Sequence, residues 1–327
     1  MPMASLIANR HGLGTSFSDL LSCFYSRSTE VEETFMVPFA RHDAGSSWEI
    51  SYSIRYPEIK DTEDGPEWCQ RQSAILHRFN HATSQSVIVL ISPNPNATAW
   101  EAMVKHLDAH PSGGLPNPLW PHQILLSTHI PAWRKYITSI EAEVLPIVSR
   151  FLSCLVDSKE YTQRLQTGIV FTTELNEPLR VQYQSLRTLV SCEVRCAKAT
   201  TVLELTRNVL NQLVLFLNDN APDRISELIP QIRNHQSQCD TYTTTAGFIR
   251  QRAQTSAQLL SDTLSFHDQI ISNEQNANMF RLNKSAVFIT TLTLVYLPAS
   301  FVAVSRYSFQ LPSYRGPADS YFRRFSG

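Results

Sequence analysis

The residues best suited to chemistry come in pairs. His77 and His81, and His106 and His110, share the His–x–x–x–His spacing that can present two imidazoles to one metal ion from a helix face. Neither first histidine is followed by the Glu that a zinc hydrolase uses as its base. The first pair also falls in a stretch that reads as strand and turn, so neither pair is assigned a metal. Cys192 and Cys196 stand one helical turn apart, but no second pair completes a tetrahedral thiolate site, and they read as structural thiols. Gly12 and Gly14 in HGLGTS lack the third glycine and the preceding strand of a nucleotide loop, and read as a plain turn. No Gly–x–Ser–x–Gly and no P-loop is present. Asn96–Ala97–Thr98 is an N-glycosylation triplet that a cytosolic location would leave inert. These residues predict a protein that is not an enzyme and holds no cofactor.

A different chemistry is written into the C-terminal third. Asn276, Asn283, Thr290 and Leu297 recur every seven residues, with Met279, Ala286, Thr293 and Ser300 offset by three. Seven-residue steps return to nearly the same helix face, so small and polar groups form one seam. In lipid such a seam points toward other helices or toward water, so it is an oligomerising or pore-lining face, or else an accident of composition. Its small and polar positions include Asn276, Asn283, Thr290, Thr293 and Ser300, with Leu297 in the same register. Asp262, Asp268 and Glu274, ahead of it, read plainly as a solvated helix face.

The element that must position this seam runs from Ser285 to Val304, SAVFITTLTLVYLPASFVAV. It carries no charge, and as a helix it rises about 30 Å, the thickness of a bilayer's hydrocarbon core. Lys284 and Arg306 flank it, where cationic side chains reach headgroups. The segment reads as a single membrane-spanning helix; the alternative is the buried core helix of a soluble protein. Threonines in lipid can bond back to their own backbone, and Pro298 is tolerated there. From Phe248 to Leu297 there is neither Gly nor Pro, so a helical stalk can feed the span. Ile249, Ala253, Ser256, Leu260, Thr263, His267 and Ile270 give that stalk a thin seam.

The remainder predicts an α+β protein. Lys plus Arg is 28 and Asp plus Glu is 29 in 327 residues, a balance that argues against nucleic acid as a partner. Six scattered cysteines do not make a disulfide framework, and MPMASLIANRHGLG is not a signal peptide. Residues 1–44 read as a variable N-terminal segment with an acidic patch at Glu30, Glu32 and Glu33. Residues 45–135 contain all five tryptophans but none of the later long helices, and read as an α/β layer. There, WEISYSIRY from Trp48 is a strand, PEIKDTEDGPEW an acidic loop, and Gln72–Phe79 with Gln85–Ile91 a hairpin across NHATS. Ala99–His110 reads as a helix, HPSGGLPNPLWP as a loop and His122–Ser127 as a further strand. Residues 136–247 form a helical bundle: a helix from Pro131 extending past Pro146, one from Pro178 to Asn218, a turn at APDR, and one from Arg224 to Asp240. Residues 248–304 are stalk and span, and 305–327 an exposed tail.

Ile289 to Ala303, ITTLTLVYLPASFVA, resembles the first membrane helix of CorA-type divalent-cation channels. The motif positions are Tyr296, Leu297, Pro298, Phe301, Val302 and Ala303, with Thr290 and Ser300 beside them. WCQRQSAILHRF (Trp68–Phe79) and PAWRKYITSIE (Pro131–Glu141) add to the likeness, which covers roughly residues 45–304 and points to the CorA-like transporter domain proteins of filamentous fungi. The resemblance implies a homopentamer in a lipid bilayer, a cytosolic N-terminal domain, and passage of Mg²⁺, which dehydrates reluctantly, along an axis lined by stalk and span. The resemblance makes Asn276, Asn283, Thr290, Thr293, Leu297 and Ser300 the candidate pore-facing residues, and Asp262, Asp268 and Glu274 candidate holders of regulatory cations between stalks. It also implies Gly–Met–Asn and a second membrane helix after the first. By register from Pro298 that tripeptide falls on Tyr307, Ser308 and Phe309, which do not match. The expectation is a single-pass chain, truncated after its first membrane helix and non-conducting in this form. The alternatives are a membrane-anchored scaffold and a soluble helical protein.

Overall fold

The structure is a computed structural model that describes residues 2–24, 33–63, 65–94, 97–109, 117–156, 179–220 and 228–310. The chain divides into two compact units, Met1–Ser261 and Asp262–Gly327. The first is an α+β body built around one antiparallel sheet. Its strands β1 (Ala40–Ala44), β2 (Ser47–Thr62), β3 (Gly65–Asn80) and β4 (Gln85–Ile91) follow one another in space as in sequence.

Strand β2 alternates Trp48, Ile50, Tyr52, Ile54 and Tyr56 on one face with Glu49, Ser51, Ser53 and Arg55 on the other, and all of these are buried. A strand covered on both sides needs partners for its polar face, and the segment before β1 supplies them. Ser53 Oγ accepts the Val37 N–H at 2.7 Å and an amide N–H of Gln72 at 3.0 Å, while Arg55 Nε donates to the Phe35 carbonyl at 2.8 Å. On the same face, helices α1 (Pro2–His11) and α2 (Thr15–Ser22) close a cluster of Leu13, Phe17, Leu20, Val37, Ala74 and Leu76. Arg78 ties this layer down, pairing with Glu49 at 2.6 Å and donating to the His11 and Gly12 carbonyls. Gly12 has φ +58°, the left-handed backbone expected just past a helix end.

The opposite face of the sheet packs on helices. Element α3 spans Thr98–Asp108, α4 Trp120–His129, α5 Ala132–Val156 and α6 Leu179–Asn220. Trp48 meets Phe216 of α6 edge to face at 5.1 Å, and Trp68 meets Tyr136 of α5 at 5.4 Å. Trp133, Ile140 and Val144 of α5 and Leu189, Cys192, Val202 and Leu210 of α6 continue the core. Helix α7 runs Leu228–Gln310, and within the first unit it buries Ile232, Cys239, Ala246, Ile249, Ala253 and Leu260. Arg207–Asp240 and Gln236–Asn211 contacts set α6 and α7 antiparallel.

Four expectations change. The acidic stretch PEIKDTEDGPEW is not a loop: β2 and β3 pair continuously from Ser47↔Asn80 to Thr62↔Gly65 and turn only at its tip. Cross-strand pairs such as Glu58 with Arg71, 3.2 Å apart, make its charges compatible with a ladder. The segment His122–Ser127 is helix, not strand: Pro121 suits a helix's first turn, and His122, Leu125, Leu126 and His129 fall on one buried helical face. Arg224–Asp240 is not a separate short helix, since nothing interrupts α7 from Leu228 onward. The stalk seam is only partly a seam, because Ser256 and Thr263 are half-exposed while Ile249, Ala253, Ala257 and Leu260 are buried. The hairpin across NHATS and the helices near Ala99, Pro131 and Pro178 stand as read. The APDR turn, the acidic pair Glu30 and Glu32, HPSGGLP, Asn96, and the tail from Leu311 lie outside the described residues.

Candidate membrane helix and buried polar chain

The second unit contains the candidate span. From Ile271 to Arg306 every residue of α7 is exposed, including Met279, Phe280, Val287, Phe288, Leu294, Tyr296 and Phe301, each at 62% or more. Such a run of bare apolar surface is costly in water and normal in hydrocarbon. The fully buried core-helix alternative predicts the opposite exposure, and α7 does not show it.

The hydroxyls of the candidate span are already satisfied. Thr290 Oγ1 donates to the Ala286 carbonyl and Thr291 Oγ1 to Val287, both at 2.8 Å; Thr293 Oγ1 reaches Thr290 and Ser300 Oγ reaches Leu297. Each hydroxyl thus spends its donor on its own helix, which removes the main penalty for placing it in lipid. It keeps lone pairs free to accept a bond from water or from a neighbouring helix. Pro298 sits inside the helix and withholds an N–H from the Leu294 carbonyl one turn back. Leu294, Leu297, Pro298, Phe301 and Val302 surround a shallow apolar hollow at that point.

Asn276, Asn283, Thr290 and Leu297 form one exposed line that drifts about 20° per seven residues. Thr293 and Ser300 lie beside it, so the seam is continuous, and each of these residues is exposed. The remaining family-motif positions, Val302 and Ala303 among them, are equally exposed. Asp262, Asp268 and Glu274 are exposed too, and six-residue steps turn each about 240° from the last, onto three different faces. Among the described residues, no three His, Cys, Asp or Glu side chains come together as a metal site.

Within the first unit the histidine spacings do not bring their members together. His77 is buried in β3 while His81 sits exposed in the following turn against Phe79. His106 stacks on Trp120, and its companion His110 lies outside the described residues. Cys192 and Cys196 are both buried, and burial pushes the Cys196 thiol up to about 12, with Cys192 adding to the shift. Cys192 also contacts Arg195, which is paired with Glu143.

Sequence spacing misses the polar constellation that does form. Tyr52 of β2 meets His122 Nδ1 at 2.9 Å, His122 Nε2 meets His77 Nδ1 at 3.0 Å, and His77 Nε2 meets Ser86 of β4 at 3.2 Å. These atoms form a directional chain in which each neutral imidazole donates once and accepts once, from Tyr52 toward Ser86 or in reverse. Burial drives His77 down to about 3, and it drives His122, which His77 also faces, down in the same direction. His129, one α4 turn-pair further on, stacks on Tyr56 at 3.5 Å, is likewise held near 3 by burial, and leaves Nε2 without a partner. The chain is a neutral staple between sheet and α4. The seven-residue spacing of His122 and His129 marks one helical face, but it gives no sign of Tyr52, His77 or Ser86 as partners.

The full-length CmaX protein is similar to this chain at 13% identity and TM-score 0.47, over 91% of this chain and 72% of that one. No curated protein matches. The model of the CorA-like transporter family matches residues 25–152, which hold the four-stranded sheet and α3–α5. That match contains WCQRQSAILHRF and PAWRKYITSIE and ends before the span. Over residues 25–152, then, the chain is similar to the CorA-like transporters.

Proposed function

We propose that this chain is a membrane-anchored subunit of a divalent-cation transport assembly, with Mg²⁺ as the ion. In this reading Ser285–Val304 crosses the bilayer once, the first unit stays in the cytosol, and copies associate as a homo-oligomer, a pentamer by resemblance. The observation that carries the reading is the fully exposed, charge-free helix whose hydroxyls are satisfied internally, joined to a transporter-family domain. Asn276, Asn283, Thr290, Thr293, Leu297 and Ser300 face the axis, where uncharged groups accept bonds from the water shell of the ion. Asp262, Asp268 and Glu274, which do not converge within one chain, act only between copies.

A second reading rests on a specific departure. Tyr307, Ser308 and Phe309 stand where the resemblance expects Gly–Met–Asn, which favours an anchored scaffold that has lost conduction. Two measurements separate the readings. Carbonate extraction of membranes should leave the chain in the pellet; release into the supernatant refutes both. Mg²⁺ uptake by reconstituted vesicles, abolished by Asn283→Leu, supports transport, whereas uptake no higher than in empty vesicles leaves the scaffold.

A further inference from the structure

We infer that the hollow at Pro298 receives Tyr296 of a second copy, whose ring packs beside the proline and whose hydroxyl donates to the Leu294 carbonyl. This rests on the membrane-spanning, self-associating reading above and names the contact that joins one span to the next.

Two groups that a single chain leaves unmatched carry the inference. A proline inside a helix has no N–H for the carbonyl four residues back, and its ring pushes that carbonyl outward. In α7 the carbonyl belongs to Leu294, which lines the apolar hollow together with Leu297, Pro298, Phe301 and Val302. Such a carbonyl is expensive in hydrocarbon, where no water reaches it. A nearby hydroxyl can fill the gap, but Thr290, Thr291, Thr293 and Ser300 have spent their donors on Ala286, Val287, Thr290 and Leu297. In the interior of the span Tyr296 is the hydroxyl left over. It is exposed, and among the described residues its O–H meets no acceptor. It lies about 200° around the helix from Leu294, so it cannot serve its own chain.

Depth and direction select another copy as the donor. Copies related by rotation about the bilayer normal hold the same residue at the same depth. Tyr296 is two residues beyond Leu294, about 3 Å along the axis, and helical side chains lean back toward the N-terminus. A neighbour's hydroxyl therefore arrives at the level of the carbonyl. Successive residues turn about 100°, so Tyr296 and Pro298 stand to either side of Leu297, which belongs to the polar seam. With that seam toward a common axis, one flank of each span presents the tyrosine and the other the hollow. A head-to-tail contact of this kind repeats around a ring. Tyrosine also suits the hollow chemically, with an apolar body for Leu297 and Phe301 and a polar tip for the carbonyl.

The test uses the full chain in bilayer vesicles, with the photoreactive p-benzoylphenylalanine in place of Tyr296. Irradiation should join two copies, with the new bond falling between Leu294 and Val302 of the partner. A bond to lipid alone, to another protein or to a different segment of the copy overturns the inference. Two point changes then test the hydrogen bond. Tyr296→Phe keeps the ring and should weaken association about threefold for each contact, read by energy transfer between labelled chains as lipid dilutes them. Pro298→Ala returns an N–H to the Leu294 carbonyl, so in that background Tyr296→Phe should weaken association no further. An equal loss in both backgrounds, or none in either, overturns the inference. Release of the chain by carbonate defeats this contact and the proposed function together, whereas a chain retained in membranes without the cross-link refutes the contact alone.

Discussion

Acid should unfold the first unit in a way that counts its buried histidines. His77 and His129 are neutral in the fold and held near 3, against an ordinary value of 6.5 in the unfolded chain. Between those limits the unfolded chain binds more protons, so stability is complete above pH 6.5 and falls as pH drops toward 3. Lowering the pH to 5.0 is a drop of about 1.5 units, at about 1.4 kcal/mol per unit, or about 2 kcal/mol for each histidine. The two together remove about 4 kcal/mol, and His122, displaced in the same direction, adds to this. Domains are stable by only about 5–15 kcal/mol, and in a unit of this size the loss lowers Tm by roughly 10 °C. Fluorescence of the buried Trp48 and Trp133 through thermal melts at pH 7.5 and 5.0 reads this directly. His77→Gln, whose amide can still bond Ser86 and His122, should flatten the dependence by about one proton, and His81→Gln in the exposed turn should not. A melting temperature equal at both pH values, or a slope unchanged in His77→Gln, would refute the neutral staple.

Three further outcomes follow from the same geometry. Arg78→Ala should destabilise the first unit by about 3–5 kcal/mol, measured by urea titration, because it leaves Glu49, 7% exposed, as an unpaired buried charge; the double change with Glu49→Gln should recover much of the loss. Ile140→Ala, at a fully buried α5 position, should cost about 2–5 kcal/mol by the cavity it opens. Thr291→Val should leave membrane insertion unchanged, since its hydroxyl bonds only its own helix. In contrast, Val295→Lys should oppose insertion by about 2.5–3.5 kcal/mol, read as a shift toward carbonate-extractable protein.

The sequence by itself determined what depends on composition along the chain. The twenty-one uncharged residues between Lys284 and Arg306 make a stretch long and apolar enough to cross a membrane by length and composition alone, and the exposure of α7 is compatible with that. Strong periodicity likewise fixed α5, α6 and the NHATS hairpin, because burial of one face is decided locally. Only the tertiary structure decided the rest. PEIKDTEDGPEW reads as loop until Arg71 lies diagonally across from Glu58 and the ladder carries its charges. His122–Ser127 is short and apolar enough to fit either period, and packing against Tyr52 and His77 settles it as helix. The histidine chain joins positions 70 and 45 residues apart, and no local spacing can announce a contact that exists only once sheet and helix have met.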